Sequence, residues 1–353
     1  TQMAAYAPLN DLPDISKPIY AGSKLVGHEG IIFSENLFKA LKNEILIDVH
    51  AAGVNFPDTL IIKNMYQFKP ELPFTPGNEV SGIVSAVGED VTSYNVGDEV
   101  IGMPLHGGYA EQITVLANQA YKKPKNMDFA TAACFTTTYG TSHYGLKDKA
   151  ELKEGETVLI LGASGGVGIS AIEIAKAMGA KVIAAASTNE KLDVCKKYGA
   201  DEFINYGNYD LSDRDQIKLF RAEIAKASGG KGPDIIYDPL GDKFSEPALR
   251  SIAWGGRHLV IGFAAGEIPK IPLNLYLVKG CSMVGVFWGA FVMREPNNHL
   301  ANMEQLAKWH EEGKIKAPIT QMFPLEKAAD ALDHILARKA VGKIALTTSF
   351  YKK

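Results

Sequence analysis

Residues 159 to 168 read LILGASGGVG, and the reading of this stretch decides the fold. Thr157 to Leu161 suit a buried strand. The residues that follow, ISAIEIAKAMGA (169–180), return Ile169, Ile172, Ala175 and Met178 at helical spacing before Gly179, a natural helix stop. The glycines between them therefore lie on a strand-to-helix turn. Such a turn points free backbone N–H groups and the positive end of the helix dipole at its mouth, which is how a phosphate is received. Ala163, Gly165 and Gly168 hold the three glycine positions of the dinucleotide fingerprint, with Ala first, and Gly166 and Val167 complete the loop. Glycine also makes tight turns with no ligand at all. The order strand, loop, helix and the strands that follow favour a bound dinucleotide.

Downstream, KVIAAAS (181–187), DEFINY (201–206), DIIYDPLG (234–241), RHLVIGF (257–263) and SMVGVFW (282–288) alternate with amphipathic pieces such as DQIKLFRAEIAKAS (215–228). Six strands alternating with helices make a doubly wound parallel sheet of Rossmann type, an α/β fold. Upstream, EILIDVHAAGVN (44–55), VSGIVSAVGEDV (80–91) and GDEVIGMPLHGGYAEQITV (97–115) alternate in period two and are rich in glycine, which suits a β-rich, barrel-like domain. Near the end come a helical segment (299–315), a last helix (327–339) and a strand (343–348). The expected partition is a dinucleotide-binding domain over 135–291, inserted between two pieces, 1–134 and 292–353, of a catalytic domain, with the cleft between them as the active site.

Composition fits an ordinary globular enzyme of about two domains: 353 residues, 46% hydrophobic and 22% charged. A net charge of -3 offers no electrostatic case for a nucleic-acid or anionic-membrane partner. The three cysteines, Cys134, Cys195 and Cys281, are scattered and odd in number, so reduced, mostly buried thiols are expected. No stretch has signal-peptide character or membrane-spanning length, and a cytoplasmic location is expected.

The motifs AAGVNFPDTL (51–60), PFTPGNEVSGIV (73–84), VGDEVIG (96–102), GGYAEQITV (107–115), TTTYGTSHYGL (136–146), GASGGVG (162–168), DIIYDPLGD (234–242) and VGKIAL (341–346) together resemble the zinc-free quinone oxidoreductase branch of the medium-chain dehydrogenase/reductase superfamily. The resemblance runs from about residue 45 to 348, while the first forty residues depart from the family's opening strands. It implies a chaperonin-10-like β-rich catalytic domain beside the Rossmann domain, and often a homodimer formed by joining the two cofactor-domain sheets. Zinc-dependent relatives need Cys or His ligands. At the corresponding positions this chain has Asn55 and Asn78, and the four-cysteine lobe for a structural zinc is missing, so no metal is expected. Without a Lewis acid to stabilise an alkoxide, reduction of a quinone or an α,β-unsaturated carbonyl is the better expectation.

An NAD enzyme wants a carboxylate about 20 residues beyond the glycine loop. This chain has Ser187 and Thr188 there, and Glu190 reads as the acid of a capping box begun by Ser187. The resemblance assigns Ser187, Lys191, Tyr206 and Arg338 to the adenosine 2′-phosphate, so NADPH is the expected cofactor. It also assigns Asn55, Asp58 and Tyr66 to the substrate cleft, Thr138 to the nicotinamide carboxamide, and Gly262, Phe263, Phe287 and Trp288 to the wall around the nicotinamide. Phe287 and Trp288 suit core or dimer packing equally well. Leu60 replaces a substrate-side tyrosine of the family, which weakens the case for quinone specificity. Two other readings stay open: an enoyl-thioester reductase, and a cofactor-binding protein without turnover, of crystallin or vesicle-protein type.

Overall fold

The computed structural model describes residues 19–20, 31–32, 40–71 and 74–352. The departure expected in the first forty residues lies outside the described residues, apart from a short parallel pairing of Ile19–Tyr20 (β1) with Ile31–Ile32 (β2). The described residues form two compact units, those of Thr1–Thr136 with Pro318–Lys353, and Thr137–Ala317.

In the first unit β3 (Glu44–Val54), β4 (Val80–Val87), β5 (Glu99–Gly102), β6 (Gln112–Leu116) and β7 (Ala120–Lys122) meet two strands from the chain's end, β14 (Ile319–Pro324) and β15 (Lys343–Thr347). The sheet order is β14-β15-β3-β4-β5-β7, with β6 also pairing to β3. β3 is buried along nearly its whole length because partners flank it throughout. The glycines of this region have a packing reason: a Cβ on Gly82 would strike the Asp48 carbonyl across the β3–β4 pairing. Ile45, Ile47, Val84 and Val100 form the core with Leu332 of α11 (Ala328–Leu336). A short helix, α1 (Phe56–Ile61), follows β3 directly, and another, α2 (Phe129–Ala132), comes after β7.

The second unit carries β8 (Thr157–Leu161), β9 (Lys181–Ala186), β10 (Glu202–Asn205), β11 (Ile235–Asp238), β12 (Arg257–Val260) and β13 (Ser282–Gly285). All pairings are parallel, in the order β10-β9-β8-β11-β12-β13, so the strand order reverses beside β8. Helices α4 (Gly166–Ala177), α5 (Asn189–Lys197), α6 (Arg214–Ala227), α7 (Asp242–Leu249) and α8 (Asn274–Lys279) make the crossovers. Leu159, Ile160 and Leu161 of β8 and Ile235, Ile236 and Tyr237 of β11 have no exposed surface, as expected of central parallel strands.

This unit runs to Ala317 instead of ending at the expected 291. Helices α9 (Trp288–Arg294) and α10 (Pro296–Glu311) stay with it. Lys147 Nζ donates to Asn302 Oδ1 at 2.7 Å, and Asn302 Nδ2 donates to Asp148 Oδ2 at 2.6 Å. Beyond α10 the Lys316 and Ala317 N–H groups donate to the buried Glu173 carboxylate, which also accepts from Tyr139 Oη at 2.5 Å. Polar contacts between distant segments hold the insertion's end, and strand alternation does not report them.

Candidate functional site

The glycine loop is built as its sequence requires. Gly162 leaves β8 at φ +59, a left-handed conformation that favours glycine, and Gly165 stands at the N-cap of α4. A Cβ on Gly168 would come within 2.5 Å of the carbonyl oxygens of both Gly162 and Ala163, so the helix can start this close to the strand only with glycine there. Gly165 differs: its Cβ would meet only the Gly162 carbonyl oxygen, at 3.4 Å. The protein's own packing leaves room for alanine at Gly165, and any demand for glycine there comes from a ligand. Gly166 and Val167 form the first turn of α4, whose N–H groups face the loop mouth.

At the ends of β9 and β10 the parallel register pairs Asn205 with Ala186, so Tyr206 and Ser187 leave the sheet side by side. Tyr206 packs on Phe244, with ring centroids 4.8 Å apart. Helix α5 begins one residue later than a cap at Ser187 would set it. Thr188 is the N-cap, its side chain accepting from the Lys191 N–H at 3.3 Å, and Glu190 is bonded to Thr188. This corrects the expected capping box: both residues are able to cap, and the extended backbone at Thr188 selects it. Lys191 stands on the first turn of α5. Arg338 belongs to the first unit, exposed just beyond α11 at φ +56.

Thr138 is buried in α3 (Thr136–His143), and its carbonyl accepts from Ser170 Oγ of α4 at 3.1 Å. Ser142 of α3 adds bonds to Ser170 and to Tyr237 of β11 at 2.7 and 2.8 Å, so Thr138 is fixed against the helix that follows the glycine loop. The two aromatic residues after β13 part company. Trp288 is buried, with its indole so close to α3 that a Cβ on Gly140 would lie 2.7 Å from Nε1, whereas Phe287 is 56% exposed. Gly262 and Phe263 follow β12, and Phe263 packs against Gly241. His143 is fully buried edge-on to Trp309, and burial brings its pKa down to about 4, so the ring is neutral.

In the first unit Asn55 caps the junction between β3 and α1. Asp58, three residues on, accepts the Asn55 N–H at 2.8 Å and the Tyr109 hydroxyl at 2.8 Å. Asn55 Nδ2 donates to Asn78 Oδ1 at 3.1 Å and to Glu79 Oε1 at 2.8 Å. From β15, Lys343 Nζ donates to Asn55 Oδ1 at 2.6 Å, to Glu79 Oε1 at 3.0 Å and to the Val54 carbonyl at 3.2 Å. Burial pulls the Lys343 ammonium down, but the attraction of Glu79 foremost holds it above the ordinary lysine value. Burial pushes Asp58 up to about 6, and its hydrogen bonds with Asn55 and Tyr109 offset only part of that. Burial also raises the Tyr66 phenol, helped by the Asp58 charge, so its proton is held tightly.

Of the residues the sequence suggests for the cleft, Asn55 and Asp58 share this network and Tyr66 makes no hydrogen bond within it, while Glu79, Lys343 and Tyr109, which complete it, were not among those suggested. Their signals were present. Lys343 is a lysine at the head of a buried apolar strand, and Tyr109 lies in the glycine-rich run GGYAE. Among the described residues no group of three or more His, Cys, Asp or Glu side chains is placed to hold a metal ion.

A doubly wound sheet with a glycine loop after its first strand, joined to a β-rich unit, defines the medium-chain dehydrogenase/reductase architecture. Comparison with known proteins agrees. The alcohol dehydrogenase GroES-like domain matches residues 41–125, and the zinc-binding dehydrogenase domain matches residues 166–308. The quinone oxidoreductase-like protein 2 homolog of Nematostella vectensis is 38% identical over 309 residues, 87% of this chain and 82% of the relative. The Escherichia coli quinone oxidoreductase, solved in complex with NADPH, superposes with a TM-score of 0.79 at 29% identity, over 88% of this chain and 94% of that one. The CurK enoyl reductase superposes with a TM-score of 0.80 at 28% identity, over 98% of each chain. The chain belongs to the quinone oxidoreductase family of the medium-chain dehydrogenase/reductase superfamily.

Proposed function

We propose that the protein is an NADPH-dependent oxidoreductase that delivers hydride to a quinone or an α,β-unsaturated carbonyl without zinc. The observation that carries this reading is the Asn55–Glu79–Lys343 cluster. Where zinc-dependent relatives carry ligand side chains, this chain has two amides, and a buried ammonium lies 2.6 Å from Asn55 Oδ1. An amide is a poor zinc ligand, and a divalent ion beside that ammonium would meet direct repulsion. An acceptor that delocalises the arriving negative charge does not need the Lewis acid that an alkoxide does.

The site fits NADPH. Gly165 stands at the mouth of the loop where the chain's own packing does not require glycine, Ser187 and Thr188 leave no carboxylate at the end of β9, and the Escherichia coli relative was solved with NADPH. Ala163, Gly165, Gly166, Val167 and Gly168 would receive the pyrophosphate, Ser187, Lys191, Tyr206 and Arg338 the 2′-phosphate, and Thr138 the carboxamide. Phe263 and Gly262 would wall the nicotinamide, Trp288 acting from behind through α3. When bound, the cofactor supplies a hydride from its nicotinamide C4. Asn55 and Asp58 orient the acceptor, and their network holds them still while it reacts. The Tyr66 hydroxyl keeps its proton at neutral pH and donates a hydrogen bond to the oxygen on which charge collects.

A homodimer joined along β13 fits the same unit. β13 ends the sheet among the described residues with Met283 55% exposed, and Trp254, packed over Gly280 just before it, is 82% exposed. Met283→Asp should convert a dimer to a monomer in sedimentation. No helix among the described residues is long and apolar enough to cross a membrane.

Enoyl-thioester reduction is the second reading, supported by Leu60 in place of a substrate-side tyrosine and by the likeness to CurK enoyl reductase. Mixing the protein and NADPH with simple quinones, short enals and enoyl-CoA esters, and following the cofactor's absorbance, separates the readings. Turnover of quinones or enals that survives exhaustive chelation supports the proposal. Turnover of the thioesters alone moves the assignment to the second reading, and no turnover of any acceptor leaves a binding protein.

A further inference from the structure

A groove of about 640 Å³ lies in the second unit between α6, α7 and the loop that follows β12, and none of its lining residues belongs to the glycine loop or to the residues proposed for the 2′-phosphate. Six cations line it: Arg214, Lys218 and Arg221 on one face of α6, Lys243 and Arg250 on one face of α7, and Lys270 on the loop. Against them stand three carboxylates, Asp242, Glu246 and Glu267. Two of the cations are engaged on their own helices, Arg250 with Glu246 and Lys218 with Asp215, each at 2.7 Å. Among the described residues Arg214, Arg221, Lys243 and Lys270 form no ion pair, and the buried Nε of Arg221 has no hydrogen-bond partner. A buried guanidinium donor left unsatisfied costs stability unless something outside the chain satisfies it.

The groove is also fixed and partly apolar. Asp242 opens α7 at φ +51 directly after Gly241 at φ +69, and its N–H donates to the Glu267 carbonyl at 3.0 Å, tying the loop to the helix. Leu211, Ile217 and Ile271 contribute apolar lining, and Ile268 stands 70% exposed at the rim. We propose that this groove is a second ligand site, which takes a small organic oxyanion: a phosphate or carboxylate group received by Arg214, Arg221 and Lys270, with an apolar body laid against the isoleucines. The basic excess is local, on a chain whose net charge is -3.

The test is calorimetric titration of the NADPH-saturated protein with hexyl phosphate, hexanoate and hexanol. The two anions, or one of them, should bind, more weakly as salt is added, and hexanol should not. Arg221→Gln and, separately, Lys270→Ala should each weaken the anion about tenfold while NADPH affinity stays as in the parent and the unfolding temperature does not fall. Tighter binding of hexyl phosphate points to a phosphate ester as the natural ligand, and tighter binding of hexanoate to a carboxylate. No anion binding, anion binding untouched by both substitutions, or hexanol binding as tightly as the anions would each overturn the proposal, the last by reducing the groove to an apolar crevice.

Discussion

The glycine loop of the second unit and the Asn55 network of the first are built from opposite materials. The loop works through backbone: its groups are N–H donors, and side chains matter there chiefly by being absent. The network works through side chains that are buried except for the half-buried Asn78, with an ammonium, two carboxylates, two amides and a phenol satisfying one another. The contrast teaches where each region is vulnerable. A backbone site responds to added atoms and reports in ligand affinity, whereas a buried polar network responds to removed charges and reports in stability and pH dependence.

The largest expected effect follows from breaking the network at its cation. Lys343→Met leaves Glu79, which is fully buried, without its ammonium, and chemical denaturation should show a loss of about 3–5 kcal/mol. Pairing it with Glu79→Gln should return part of that loss. A cost below about 1 kcal/mol for Lys343→Met alone would mean that the cluster is not acting as a desolvated ion pair.

The next effect is in pH. An aspartate ordinarily releases its proton near 3.8, whereas burial holds that of Asp58 to about 6. Between those values the folded chain keeps a proton that the unfolded chain has lost. Stability from this group is therefore greatest at low pH and falls as pH rises through the window, by on the order of 3 kcal/mol. Asp58→Asn should flatten that part of the stability profile, and an unchanged slope from pH 4 to 6 would locate the titration elsewhere.

In the backbone site, Gly168→Val should weaken NADPH by at least about 100-fold, because the new atoms collide with the carbonyls that set the loop. Gly165→Ala sharpens the contrast. It should leave thermal unfolding unchanged, so any loss of affinity it produces measures how closely the pyrophosphate approaches. Smaller still, Lys191→Ala should weaken NADPH by roughly 10- to 100-fold and leave NADH almost untouched, as judged by fluorescence titration of both cofactors. An equal loss for the two would remove Lys191 from the 2′-phosphate site.

The same division explains what could be read in the chain. The six-stranded sheet and its loop were legible because each strand, turn and helix there announces itself locally, through a β-branched run, a cluster of glycines or a helical period. The end of the insertion was not legible, because Asn302 reaches Lys147 and Asp148 across more than 150 residues of sequence. Lys343 was hidden for the same reason: its partners Asn55 and Glu79 lie 288 and 264 residues away. The one-residue error at Thr188 has a different origin. Two adjacent hydroxyl residues are equally good caps on paper, and only backbone dihedrals choose between them.

The buried cysteines have a chemical consequence. Quinones and α,β-unsaturated carbonyls are the electrophiles that alkylate protein thiolates, so an enzyme that handles them is exposed to arylation by its own substrates. Burial pushes the Cys134 and Cys195 thiols up to about 12, and raises Cys281 as well. At neutral pH only about one molecule in 10⁵ carries a thiolate at either of the first two. The chain keeps its thiols in the unreactive form, and the acceptors proposed for it would find little thiolate to alkylate.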